Sequence, residues 1–170
     1  MKTTIITLSN LFTLALVLSL NSCKNGNHEG IGKSQDTIEQ SQKPSYFYLR
    51  PQLEKMYGYT QAVKVGNTVK IGGVISMDDQ GKPLGTGDYL AQMENCYASL
   101  SKILTHYGCT FDDVYLENIY TTSMLDLQKN AHYRSQIYKK QFPTGSWIGV
   151  KELGLPQIMI EIEMEALIPE

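Results

Sequence analysis

Three glutamates stand at every second position near the end of the chain, Glu161, Glu163 and Glu165, and their type and spacing are what could do chemistry. From Ile158 to Ala166 the residues Ile158, Ile160, Ile162, Met164 and Ala166 alternate with Met159 and the three glutamates, which is the period of a half-buried strand. At ~3.3 Å rise per residue the carboxylates recur about every 7 Å on one face. Like charges at that spacing repel, so some must reach water, meet a cation or hold their protons to higher pH. The chemistry on offer is proton exchange or cation binding.

The rest of the composition narrows the field. At 170 residues the chain can bury one sizeable core. Its net charge of -2 leaves no electrostatic footprint for nucleic acid. There is no metal-ligand spacing, phosphate loop or nucleophile triad, so neither a metal nor a cofactor is expected. A site in which water attacks, or one that only binds a small molecule, fits this inventory. Cys96 and Cys109 are separated by roughly 20 Å if one helix carries both, at 1.5 Å per residue, so they read as free core thiols.

Several elements must position the glutamates. Tyr59–Val65 and Thr68–Ile75 flank Gly66-Asn67, a two-residue hairpin signal, and should pair antiparallel. Gly72 and Gly73 inside the second run mark either a bulge or the close approach of a ligand. Asp88 is a good N-cap for a helix carrying Leu90, Met93, Tyr97, Leu100, Leu104 and Tyr107 at intervals of three and four, which Gly108 ends. Val114–Thr121 reads as a strand and Leu125–Phe142 as a second helix. Asn130 shares a helix face with Tyr133 and serves either a helix-to-loop hydrogen bond or a site. After Pro143–Gly145 the chain gives a strand at Ser146–Val150, a loop at Leu153–Pro156 and the glutamate strand. The order β-β-α-β-α-β-β predicts an α+β domain, with two helices on one face of a mixed sheet. Apolar residues left on the other face point to self-association.

The N-terminal segment is of another kind. Residues 1–22 hold a lysine near the start and then the apolar run Leu11–Leu20, which is a signal peptide and is short of the about 20 residues that span a bilayer. Leu20-Asn21-Ser22-Cys23 resembles the bacterial lipoprotein box, in which the cysteine is lipidated. Residues 23–45 then read as the lipidated Cys23 with a flexible polar tether, and 46–170 as the folded domain. This reading puts the protein in the cell envelope, on a membrane through a lipid anchor.

The element order resembles the Rid or YjgF family of reactive-intermediate deaminases, from about Gly58 to Ala166. The resemblance is carried by Tyr59-Thr60-Gln61-Ala62-Val63, Gly66-Asn67-Thr68-Val69, Gly73, Gln92, Asn130-Ala131 with Tyr133, Pro143, and Glu161-Ile162-Glu163. It implies a chorismate-mutase-like fold and a homotrimer with ligand clefts between subunits, where a 2-imino acid is hydrolysed to a 2-keto acid and ammonia. By the family pattern Glu161 is the cleft acid that helps to position water, and Tyr59, Gly73 and Asn130 line the cleft. Where the family reads Pro-Ala-Arg-Ser this chain reads Pro143-Thr144-Gly145-Ser146, so Gly145 replaces the arginine that grips the substrate carboxylate. Glycine offers neither the charge nor the paired donors of a guanidinium. Gly145 widens the pocket in this reading and Trp147 stacks on a different ligand; plain packing is the other role open to Trp147. Arg134, Lys139, Lys140 and Lys151 are possible substitute cations, and Gly145→Arg is expected to restore imino-acid hydrolysis if the cleft is otherwise preserved. The alternative is a non-catalytic small-molecule-binding trimer. A ribonuclease activity, also attributed to this family, finds no basic groove or histidine pair, since His28 lies in the tether and His106 and His132 on separate helices.

Overall fold

The computed structural model describes residues 43–170. Residues 1–42, which include the segment read as a signal peptide, Cys23, His28 and nearly all of the segment read as a tether, lie outside the described residues. Strands β1 (Ser45–Phe47), β2 (Ala62–Val65), β3 (Thr68–Ile75), β4 (Val114–Thr121), β5 (Trp147–Gly149) and β6 (Ile160–Leu167) form one sheet, in the order β1-β2-β3-β6-β4-β5. All neighbours are antiparallel except β4 and β5, which run parallel. The sheet is therefore mixed and the domain α+β, as the pattern of elements predicts. Among the described residues no helix is long and apolar enough to cross a membrane.

Helix α2 (Tyr89–His106) packs along one face of the sheet. Asp88 caps it, its carboxylate accepting from the Ala91 N–H at 3.0 Å, and Met93, Cys96, Tyr97, Leu100, Ile103 and Leu104 are buried against Ile71, Ile119, Ile160 and Ile162. Cys96 and Cys109 are free and buried. Gln92, fully buried among these apolar residues, accepts from Met159 N at 2.8 Å and donates to Gln157 O at 2.8 Å. It thereby fixes where β6 enters the sheet, and with it the face on which Glu161 stands.

Two expectations need correction, and one segment without a reading gains structure. The segment before the hairpin, unread from the sequence, forms β1 and then helix α1 (Pro51–Tyr57), which opens on Pro51 and ends at Gly58 in the left-handed conformation. The first hairpin strand begins at Ala62 rather than Tyr59, because Tyr59 N–H is held by Glu54 O at 3.0 Å in the helix cap. The second helix does not run from Leu125 to Phe142. It is α3 (Met124–Asn130), a 3-10 turn at Ala131–Tyr133 and α4 (Arg134–Ile137), after which Tyr138 turns to an extended conformation and buries its ring.

Candidate functional site

The three glutamates share a face of β6, and their neighbours sort them. Glu165 accepts from the Tyr115 hydroxyl at 2.5 Å and from Lys70 Nζ at 3.2 Å, and these partners hold its carboxyl below the ordinary value. Glu163 accepts from the Tyr120 hydroxyl at 2.9 Å. Glu161 has no hydrogen-bond or ion-pair partner among the described residues. Burial first, and the Glu163 charge second, push its pKa up. The expected repulsion is thus relieved by two tyrosines and a lysine at two positions, and remains at the third.

Glu161 stands at the wall of a cavity of about 330 Å³, lined also by Leu53, Tyr57, Tyr59, Gly73, Ile75, Met77, Gly81, Gly154 and Leu155. The cavity is built outward from a buried carboxylate on α1. Glu54, wholly inaccessible, accepts from Gln61 N at 2.9 Å and from Arg50 N, which ties the helix to the hairpin and leaves Tyr59 at the cavity rim. Burial, then the Glu54 charge, raise the Tyr59 pKa, so the phenol remains a proton donor. Gln61 Nε2 donates to Gly72 O at 3.1 Å and Gly73 O at 3.3 Å, inside the bulge that interrupts β3–β6 pairing between Ile71 and Val74. Bulge and close approach, the two readings of this glycine pair, are one device. A Cβ on Gly73 would overlap Glu161 Oε1, so glycine leaves the space that the carboxylate occupies.

Gly73→Ala is expected to swing the Glu161 carboxylate out of the cavity, because the overlapping atoms are the far end of a flexible side chain. The stability cost should stay near 1 kcal/mol, the low end for overpacking, while any ligand binding that depends on Glu161 falls. Chemical denaturation and ligand titration of the same variant check both halves.

Tyr59, Gly73 and Glu161 therefore meet in one cavity. Asn130, Gly145 and Trp147 do not line it within a single copy of the chain. Asn130 Nδ2 donates back to Asp126 O at 2.9 Å along α3. Gly145 and Trp147 lie at the β4–β5 edge, where the Trp147 ring centroid is 5.8 Å from the Arg134 guanidinium. That guanidinium also packs over Tyr138 at 5.5 Å and Phe142 at 5.2 Å, and pairs with buried Glu117, its Nε 2.7 Å from Oε2. Arg134 is committed, and Lys140 meets Asp112 at 3.2 Å.

Gly145 carries a second steric message. A Cβ there would overlap the backbone carbonyl of Glu117, where Glu117 N–H donates to Thr144 O at 2.9 Å and Thr144 N–H to Tyr115 O at 3.0 Å. Backbone cannot rotate aside as a side chain can. Gly145→Ala should cost about 1–3 kcal/mol by overpacking, and an unchanged urea midpoint would show that this edge moves freely. The Gly145→Arg exchange carries the same overlap, so it does not simply restore a guanidinium.

Helix α1 and the residues Leu53, Tyr57, Glu54 and Met77 went unrecognised in the sequence. The one signal for α1 was Pro51 ahead of a short run closed by Gly58. His106 stacks on Phe47 with centroids 4.1 Å apart, and His132 is exposed in the 3-10 turn after α3, its Nδ1 3.3 Å from Lys129 O. Neither enters the cavity.

A mixed sheet packed against α2, with a cavity between α1 and the sheet beside an unpaired carboxylate, makes this an α+β domain. The family model described as Endoribonuclease L-PSP matches residues 50–168, and the chain belongs to that family, the YjgF or Rid proteins. It is 28% identical over 95 residues to a 2-iminobutanoate/2-iminopropanoate deaminase from Dermatophagoides farinae, covering 56% of this chain and 74% of that one. The human protein of the same name is 28% identical over 109 residues, 64% of this chain and 79% of its own. Among solved structures, a YjgF/YER057c/UK114 family member from Mycobacterium tuberculosis superposes with a TM-score of 0.63 at 25% identity, covering 74% of this chain and 99% of that one. RidA from an Antarctic Psychrobacter gives 0.59 at 27% identity, over 65% and 88%.

Proposed function

We propose that this protein binds and hydrolyses a small reactive imine in a cleft completed by a neighbouring copy in a homotrimer. The observation that carries the reading is the convergence of Tyr59, Gly73 and the unpaired Glu161 on one cavity. Relatives named as imine deaminases support the reaction type. In the trimer, the edge bearing Gly145 and Trp147, with Asn130, faces the cavity of the next subunit. Water adds to the C=N carbon while Glu161 takes a water proton and passes it to nitrogen. The resulting carbinolamine then gives its hydroxyl proton to Glu161, which passes it to the amino nitrogen as C–O becomes C=O, the C–N bond breaks and ammonia leaves. In this reading Cys23 carries a lipid that holds the domain at a membrane of the cell envelope.

A second reading, a binding trimer without turnover, is favoured by one residue, the glycine at position 145, where the family pattern implied by the resemblance places an arginine. Imines generated in place by an amine or amino-acid oxidase separate the two. Accelerated release of the carbonyl product and ammonium over the spontaneous rate supports hydrolysis. No acceleration from a folded trimer leaves the binding reading.

A further inference from the structure

The geometry points to a ligand of particular charge: we infer that the Glu161 cavity takes a protonated amine or iminium with an apolar, carboxylate-free body. The inference rests on reading this cavity as the ligand site. Its lining has one ionisable acid, Glu161, and no lysine, arginine or histidine. Leu53, Ile75, Met77 and Leu155 supply apolar surface, and Tyr57 and Tyr59, 70% and 37% exposed, hold aromatic rings at the mouth. An apolar cavity with a single anion and exposed ring faces suits an organic cation, which gains from the carboxylate and from the rings.

Arg50, Lys70 and Arg134 are engaged elsewhere, and Lys55, Lys82, Lys139 and Lys151 do not line the cavity. Arg50, behind Met77, donates to Asp78 O at 3.0 Å and Met77 O at 2.9 Å, with Asp79 3.8 Å away. Lys70 is engaged by Glu165, and Arg134 at the opposite edge by Glu117. The edge that a second copy would bring to the cavity carries glycine at 145, with no room for a side chain. Two further carboxylates stand near, Glu163 next along β6 and Glu54 beneath Tyr59, where Arg50 offsets the Glu54 charge in part. A ligand carboxylate would meet like charge on entering; an ammonium would not.

The test is a matched set of arylalkyl probes titrated calorimetrically into the full-length protein: phenethylamine, phenylalanine, which adds a carboxylate, and 3-phenylpropanoate, which keeps only the carboxylate. Phenethylamine should bind at least about tenfold more tightly than the other two, and Glu161→Gln should weaken it by about tenfold or more, as loss of a charge-assisted contact does. Equal or tighter binding of either carboxylate, or an amine affinity unmoved by Glu161→Gln in a folded protein, would overturn the inference. A second arm compares imines made in place from phenethylamine and from phenylalanine. Faster hydrolysis of the phenylalanine imine overturns the charge preference while upholding imine hydrolysis. Hydrolysis of neither, with amine binding still dependent on Glu161, upholds the preference and removes the catalytic reading.

Discussion

Glu161→Gln should lower imine turnover by about 10²- to 10⁴-fold, the range that one positioned proton-transfer group contributes. Glutamine keeps the size of the side chain and removes its ability to take a proton from water. The carboxyl pKa is already raised by burial and by Glu163, which brings it nearer the working pH of a general base. The same shift has a stability consequence. Because the folded state holds this proton more tightly than the unfolded chain, the stability it contributes is full below the ordinary carboxylate range and is lost as pH rises through the folded pKa. Glutamine never ionises, so the variant should be more stable than the parent at neutral pH, with the difference vanishing in acid. Turnover should instead rise with pH through that pKa. Rate profiles and urea midpoints across the same pH series test both, and undiminished turnover by the variant would remove Glu161 from the reaction.

Arg134→Met should destabilise the fold by about 3–5 kcal/mol, the cost of leaving a buried charge without its partner. Glu117 is 2% exposed on β4 and accepts from Tyr97 at 2.7 Å, Tyr138 at 2.6 Å and Arg134 Nε at 2.7 Å. Burial first, then the Glu117 charge, raise both tyrosine pKa values, so both hydroxyls remain donors. They soften the loss of arginine without replacing its charge. Adding Glu117→Gln to Arg134→Met should recover part of the loss, since a neutral amide oxygen still accepts from the tyrosines. A loss below about 1 kcal/mol for the single variant would be typical of a solvent-screened pair, and would contradict the buried geometry.

The elements that the sequence made legible are those whose pattern is strictly local. Alternation set out β6, the three-four spacing set out α2, and Asp88 and Gly108 marked its ends. The gathering of Glu161 with Gly73 was implied only by resemblance. It depends on β3 and β6 pairing across the bulge, which no local period records. Tyr138 shows why the second helix was overextended. Its spacing continues the helical pattern, but the buried Glu117 draws its hydroxyl inward, and that tertiary demand ends the helix. Helix α1 was missed for a related reason: Glu54 is polar and yet the most buried residue of that helix, so hydrophobic periodicity could not mark its inner face. The exclusion of any Cβ at Gly145 likewise exists only once β4 and the 144–146 segment lie side by side.

The sheet order also bears on how the chain comes together in time. The last strand described, β6, sits in the middle, between β3 and β4, and its side-chain contacts reach back as far as the 95 residues that separate Lys70 from Glu165. During synthesis the β1–β2–β3 meander and the β4–β5 pair emerge first as two ribbons, each with an open inner edge. Only the arrival of β6 joins them. Folding of this sheet is therefore held back by long loop closures until β6 has left the ribosome. Since Glu161 rides on that strand, its cavity and the joined sheet form in the same step, and a chain that stops short of β6 has neither.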